Sequence, residues 1–238
     1  MTAPAHSEGT ERIVRVWDVP TRLFHWALVI LILVCWFTGE EEGFVGAVHR
    51  YAGEATAGLL VFRVIWGFVG GERARFSDFA AGPGAIASHI KSLFSRTPAR
   101  HLGHNPLGGL AVFLLLLNVA VIVAAGLFSS GEGRSGPFAG LWGLELSEIH
   151  EVSFRVLQGL VVVHVLGVVI ETLRTRDTLV PAMITGAKRR RADESGVDAK
   201  PAGFSAILAA TIAGIAAAAI LMNLPQDAPA PPGREHGE

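Results

Sequence analysis

The chain contains a single cysteine, Cys35. That excludes a disulfide framework, a thiolate metal cluster and the Cys-x-x-Cys-His signature of covalent haem attachment. Any haem here has to be held without thioether bonds. Charge is scarce too, with 17% of the 238 residues being Asp, Glu, Lys or Arg against 50% hydrophobic. A soluble domain ordinarily carries about 25% charge, so this balance is that of a polytopic membrane protein with lipid as its first partner. Nucleic acid is not an expected partner. Residues 1–16 lack the basic-then-apolar layout of a cleaved signal peptide, so the first hydrophobic helix is expected to stay in the mature protein.

Five runs are apolar enough to span a bilayer, at about 20–39, 47–69, 107–128, 148–173 and 204–224. The first has a clear start, with Asp18 as cap and Pro20 in the first turn, and Trp17, Trp26 and Trp36 lie towards its two ends. The third contains no charged residue. Between the second and third spans, Ile86, Ile90, Leu93 and Phe94 recur at helical spacing beside His89 and Lys91, the pattern of a helix lying in the headgroup region. In the fifth, Ala206, Ala210, Gly214 and Ala218 repeat every fourth residue, a small-residue seam for close packing by an accessory helix or a second copy of the chain. The expected organisation is an N-terminal segment 1–16, a four-helix core 17–176, a basic linker 177–203, a fifth transmembrane helix 204–224 and a disordered tail 225–238.

Lys and Arg set the orientation. One set of loops and tails holds most of them, among them Arg12, Arg15, Arg73, Arg75, Arg176 and Arg189, whereas the other holds Arg50, Arg134 and Arg234. The positive-inside rule then puts the N-terminus in the cytoplasm and, after five spans, the C-terminus outside.

The fourth span carries two histidines, His150 and His164. Fourteen residues at 100° each end about 40° short of four turns, so both imidazoles leave nearly one helix face, about 21 Å apart along the axis. His25 lies at the depth expected for His164, and His49 at that of His150. Two level pairs result, His25 with His164 and His49 with His150. Neutral imidazoles from two opposing helices are the ligand set for six-coordinate haem iron, which leaves one-electron transfer as the chemistry. Arg63, fourteen residues past His49, falls on the same face at the inner depth, where a haem propionate would answer its charge. Single membrane histidines are more often packing residues than ligands; four at two matched depths are not. His89, His101 and His104 read as solvated side chains of the cytoplasmic loop, with a role for His104 near the inner haem or a quinone kept open. Arg50 with Glu54 and Glu151 with Arg155 read as surface pairs one turn apart, and Phe138, Leu141 and Trp142 as a cap over the outer site.

The pattern Asp18-x-Pro20-Thr21-Arg22-Leu23-Phe24-His25-Trp26, His49 with Gly53, Arg63 with Trp66-Gly67, Gly103-His104-Asn105-Pro106-Leu107-Gly108, the His150 and His164 helix, and Met183-Ile184-Thr185-Gly186-x-Lys188 resembles the bacterial cytochrome b-561 and nickel-hydrogenase b-type cytochrome family. The resemblance covers about residues 12–191 and implies an all-α membrane protein whose four core helices hold two non-covalent b haems. It implies ligands at His25, His49, His150 and His164, and electron exchange between a quinone pool and a partner. The expected function is that of a dihaem cytochrome of the bacterial inner membrane relaying electrons between quinone and a periplasmic c-type cytochrome or oxidoreductase subunit. Some members of the family oxidise superoxide and pass the electron to quinone, which keeps a stand-alone superoxide:quinone oxidoreductase open. A haem-free transporter using the histidines for a divalent metal is a third reading, since imidazole alone does not exclude zinc.

Overall fold

A computed structural model describes residues 12–130, 135–190 and 197–224. The expected tail 225–238 and most of the expected N-terminal segment lie outside these residues, as do Arg134 and Arg191. The chain is an all-α membrane protein with five long apolar helices: α1 (Val19–Thr38), α2 (Gly43–Val69), α5 (Pro106–Phe128), α6 (Ser147–Thr175) and α8 (Phe204–Met222). The described residues also form three shorter α-helices, α3 (Phe76–Phe79), α4 (Pro83–Leu93) and α7 (Leu179–Thr185), two short 3-10 turns, Glu72–Ala74 and Leu141–Gly143, and two strands, β1 (Arg12–Arg15) and β2 (Ala187–Arg190). In α1, α5, α6 and α8 only 11% of the most apolar window is buried by protein, against 44% in α2. Few residues of those four helices are fully buried by protein, and more of α2 are.

The chain divides into two units, each containing part of every long helix. The first takes the residues up to His25, Arg63–Leu114 and Leu160–Ala210. Its β1 and β2 pair antiparallel, Arg12 opposite Arg190 and Arg15 opposite Ala187. The expected linker is thus folded: Arg176 in the left-handed region (φ 53°) ends α6, α7 follows, and Gly186 (φ 84°) turns the chain into β2. The Gly186 carbonyl accepts from the Val16 and Trp17 amides at 2.8 and 3.1 Å, and a Cβ on residue 186 would stand 2.8 Å from the Trp17 carbonyl oxygen. That close approach and the positive φ explain the glycine. Asp18 caps α1 as expected, its Oδ1 accepting from the Thr21 amide at 2.8 Å. Asn105 does the same for α5 through the Gly108 amide at 2.6 Å. Trp66, 1% exposed, donates Nε1–H to the Thr21 hydroxyl at 3.2 Å and so ties α2 to α1.

The second unit takes Trp26–Phe62, Leu115–Gly159 and the chain from Thr211. Here α2 begins at Gly43, earlier than position 47, because Gly43 takes the turn itself at φ 60° and Phe44-Val45 then extend the apolar run. Helix α8 packs on α2 through its small-residue seam. A Cβ on Gly58 would meet the Gly214 carbonyl oxygen at 2.5 Å and the Ala218 Cβ at 2.8 Å. Glu145 joins the end of α5 to the start of α6, accepting from the Ser130 and Ser147 amides at 3.0 and 2.9 Å and from both serine hydroxyls. Hydrogen bonds from Ser130 and Ser147 hold its carboxyl down to about 2. Ser147 therefore serves this clasp, and the Leu146 carbonyl opens α6 by accepting from the His150 amide at 2.9 Å.

Candidate functional site

In the second unit, α2 carries His49 and α6 carries His150. Their ring centroids are 6.1 Å apart with the planes inclined at 74°. Each ring is fixed through Nδ1, in His49 by donating to the Cys35 carbonyl at 3.0 Å and in His150 to the Ile122 carbonyl at 2.8 Å. A neutral imidazole that donates from Nδ1 keeps its lone pair on Nε2, the arrangement found when histidine ligates a metal. A glycine makes room for the His150 ring, since a Cβ on Gly126 would stand only 3.0 Å from it, whereas one on Gly39 would lie at ordinary contact distance, 3.5 Å, from the His49 ring. Gly53 lies one turn past His49, and nothing comes within 4 Å of where its Cβ would be. Phe138 and Trp142 pack on Phe128 at the end of α5, with centroids at 5.5 and 6.1 Å.

In the first unit, α1 carries His25 and α6 carries His164, both half-buried and within electrostatic reach of each other. Arg63 is 3% exposed, its guanidinium carbon 4.7 Å above the Phe76 ring and 5.9 Å from that of Phe24. Among the described residues its Nη1 has no hydrogen-bond partner. A buried guanidinium with a donor to spare is a place for an anionic oxygen.

His104 is not the solvated side chain expected of a loop. It sits between the rings of Phe79 (4.4 Å) and Trp17 (4.6 Å), in electrostatic range of Arg63 and His164. Burial first, then Arg63, Lys188 and His164, push its imidazole down to about 3, so it is neutral at physiological pH. The only signal for this in the sequence is its place in the turn that opens the third span. His89 also departs from expectation: it is 4% exposed on α4, with Nε2 3.3 Å from Glu171 Oε2. The amphipathic α4 does form, and leaves Ile90 and Phe94 exposed on its other side. Arg50 and Glu54 pair at 3.0 Å, but the carboxylate is buried at 3% exposure, so theirs is no surface pair. Glu151 and Arg155 do pair at the surface.

The sequence profile of prokaryotic cytochrome b561 matches residues 16–186, most of the chain. The chain belongs to the prokaryotic cytochrome b561 family. This cytochrome is similar to the probable Ni/Fe-hydrogenase B-type cytochrome subunits of Rhizobium leguminosarum (26% identical, covering 79% of this chain and 95% of the relative) and Azotobacter vinelandii (27% identical, 75% and 92%). It is similar also to the probable Ni/Fe-hydrogenase 1 B-type cytochrome subunit of Escherichia coli K12 (21% identical, 74% and 91%). No solved structure matches it. The fifth span, α8, lies outside the matched region.

As a b-type cytochrome the protein carries haem b and serves electron transport across or along the membrane. The residues present fit that cofactor. His49 and His150, each holding a backbone carbonyl through Nδ1, would offer Nε2 to a haem iron. The free donor of Arg63 suits a propionate. Among the described residues no group of three or more His, Cys, Asp or Glu is placed to hold a bare metal ion.

Proposed function

We propose that this cytochrome holds two haems b, one ligated by His49 and His150 and the other by His25 and His164, and relays electrons between membrane quinone and a periplasmic oxidoreductase subunit. When bound, bis-imidazole haem supplies reversible one-electron transfer with no open position for oxygen. The chain does the rest. The Cys35 and Ile122 carbonyls hold His49 and His150 in the tautomer that presents Nε2. Arg63 offers Nη1 to a propionate, and the neutral His104 beside it fills the inner end without adding a second positive charge. The protein sits in the bacterial inner membrane with its N-terminus in the cytoplasm, as the distribution of Lys and Arg indicates. A hydrogenase of the Ni/Fe kind is the partner that the names of its relatives suggest.

The observation that carries this reading is the nearness of the His49 and His150 rings, 6.1 Å between centroids, each fixed by an Nδ1–H bond to a backbone carbonyl. The test is haem quantification with reduced-minus-oxidised spectra on the purified protein and on His→Ala variants at 25, 49, 150 and 164. Two haems are expected in the parent, and one or none in each variant. A parent with a single haem, or a His49→Ala variant that keeps two, would overturn the assignment.

A further inference from the structure

A second group of buried ionisable side chains lies in the first unit, apart from the histidine pair. Glu171 stands on α6 seven residues past His164, two turns on and therefore on the same face about 10 Å away along the axis. Its carboxylate, 6% exposed, meets His89 Nε2 at 3.3 Å. The His89 ring lies 5.1 Å from that of His101, which is half-buried and opens towards solvent. The groups around this row are paired with one another. Lys188 Nζ, 1% exposed, donates to the His101 carbonyl at 3.3 Å and to Asp177 at 2.8 Å, and Arg100 donates to the other oxygen of Asp177 at 2.9 Å. Thr175 donates its hydroxyl to the Glu171 carbonyl, and Arg174 is turned away to the Leu93 and Ser95 carbonyls at 2.7 Å.

A carboxylate and an imidazole buried together are costly to desolvate. Arg174 already pins the end of α4 to α6 by two hydrogen bonds. What the row offers is three side chains able to carry a proton, set one beside the next. Burial, then His89 and Lys188, lower the pKa of His101, so its ring is neutral at physiological pH and able to take up a proton briefly. The nearby Lys188 and Arg100 share the one carboxylate of Asp177, so this neighbouring group carries one positive charge more than it carries negative.

We propose that Glu171, His89 and His101 form a proton branch between the aqueous phase and the inner redox site, used when electrons pass to or from a quinone. A quinone reduced by two electrons from the cytochrome takes two protons and forms two O–H bonds; oxidation of the quinol returns both. Electrons travel by the cytochrome's cofactors, whereas the protons need titratable groups that reach water. Glu171 is the inner end of the row and His101 its mouth. This inference rests on the assignment of His25 and His164 as the inner haem ligands.

The experiment uses the full-length, haem-loaded protein in lipid nanodiscs, and starts with haem content. A missing inner haem in the parent would overturn the ligand assignment itself, and this inference with it. With both haems present, the inner-haem midpoint potential should depend on pH in the parent, and the dependence should flatten in Glu171→Gln and His89→Gln. Haem reduction by a short-chain quinol should slow on the order of tenfold or more in His101→Ala and recover with free imidazole in the buffer, because a relay can be replaced by a small base. If Glu171→Gln fails to fold, the exposed-side variant His101→Ala decides alone. An unflattened pH slope in a folded, haem-replete Glu171→Gln or His89→Gln, an unchanged rate in His101→Ala, or a slowed rate that imidazole does not restore would each overturn the branch.

Discussion

The imidazole of His49 donates its Nδ1–H to the carbonyl of Cys35, fourteen residues earlier on the neighbouring helix, at 3.0 Å. The bond uses the backbone of residue 35 and not its thiol. Cys35→Ala should therefore leave haem content and spectrum at the parental level. His49→Ala should remove the outer haem and spare the inner one. Pyridine haemochrome assay of the two variants side by side checks both outcomes, and loss of haem in Cys35→Ala would show the thiol to matter.

Arg63 points a second consequence at the inner site. A hydrogen bond to a charged partner contributes about 1.5–3 kcal/mol. If its Nη1 meets a propionate, Arg63→Gln should weaken retention of the inner haem by roughly ten- to a hundredfold, measured as haem transfer to apomyoglobin. The outer haem should be unaffected. Equal loss from both sites would point to general unfolding instead.

The crossing of α2 and α8 has no space for a side chain at Gly58, where a Cβ would lie 2.5 Å from the Gly214 carbonyl oxygen. Gly58→Ala forces the helices apart and should destabilise the protein by about 1–3 kcal/mol. Gly84→Ala, into open space at the start of α4, should do so far less. Thermal unfolding in detergent, followed by circular dichroism, ranks the two; the reverse order would contradict the packing.

Two groups of the first unit, Asp177 and His104, set its acid sensitivity. Burial alone would raise the Asp177 carboxyl, but Lys188 and Arg100 hold it below its ordinary value. The stability it contributes is present above the unfolded carboxylate range and is lost as pH falls through the lowered folded value. The His104 imidazole, pushed down to about 3, acts in the same direction. The unfolded chain binds a proton there near 6.5 and the folded one does not, so stability should fall as pH drops from about 6.5 towards 3. Denaturation midpoints measured across that window should decline in the parent and decline less in His104→Phe.

Asp177→Asn leaves the Lys188 ammonium buried without its anion. Breaking such a pair costs about 3–5 kcal/mol, so the variant should unfold well below the parent temperature at neutral pH. Replacing both residues by apolar ones of similar size should restore much of the loss. If the single variant behaves as the parent does, the pair has no structural part.

The five spans were legible because long apolar runs and their Asp, Asn and Gly punctuation are local in the chain. Pairing His49 with His150 was legible too, since helical periodicity fixes depth and face. The fixing of those rings was not: the partners are the carbonyls of Cys35 and Ile122, and every residue has a carbonyl. His89 and His104 misled for a related reason. A histidine beside Lys91 or after Gly103 looks solvated, and only the tertiary fold brings Glu171 to one and the rings of Trp17 and Phe79 to the other. Likewise the stretch after residue 176 read as a basic linker, because a strand of four residues, Ala-Lys-Arg-Arg, has no periodicity until β1 is set beside it.

That short ribbon also orders events during biosynthesis. Arg12–Arg15 leaves the ribosome early, yet its partner Ala187–Arg190 follows some 175 residues later. At about 5–20 residues per second, the amino-terminal arm waits roughly 10–35 s for its match. Four helices have been threaded into the bilayer before the latch can close, so cofactor loading can take place while that end of the nascent protein still stands open.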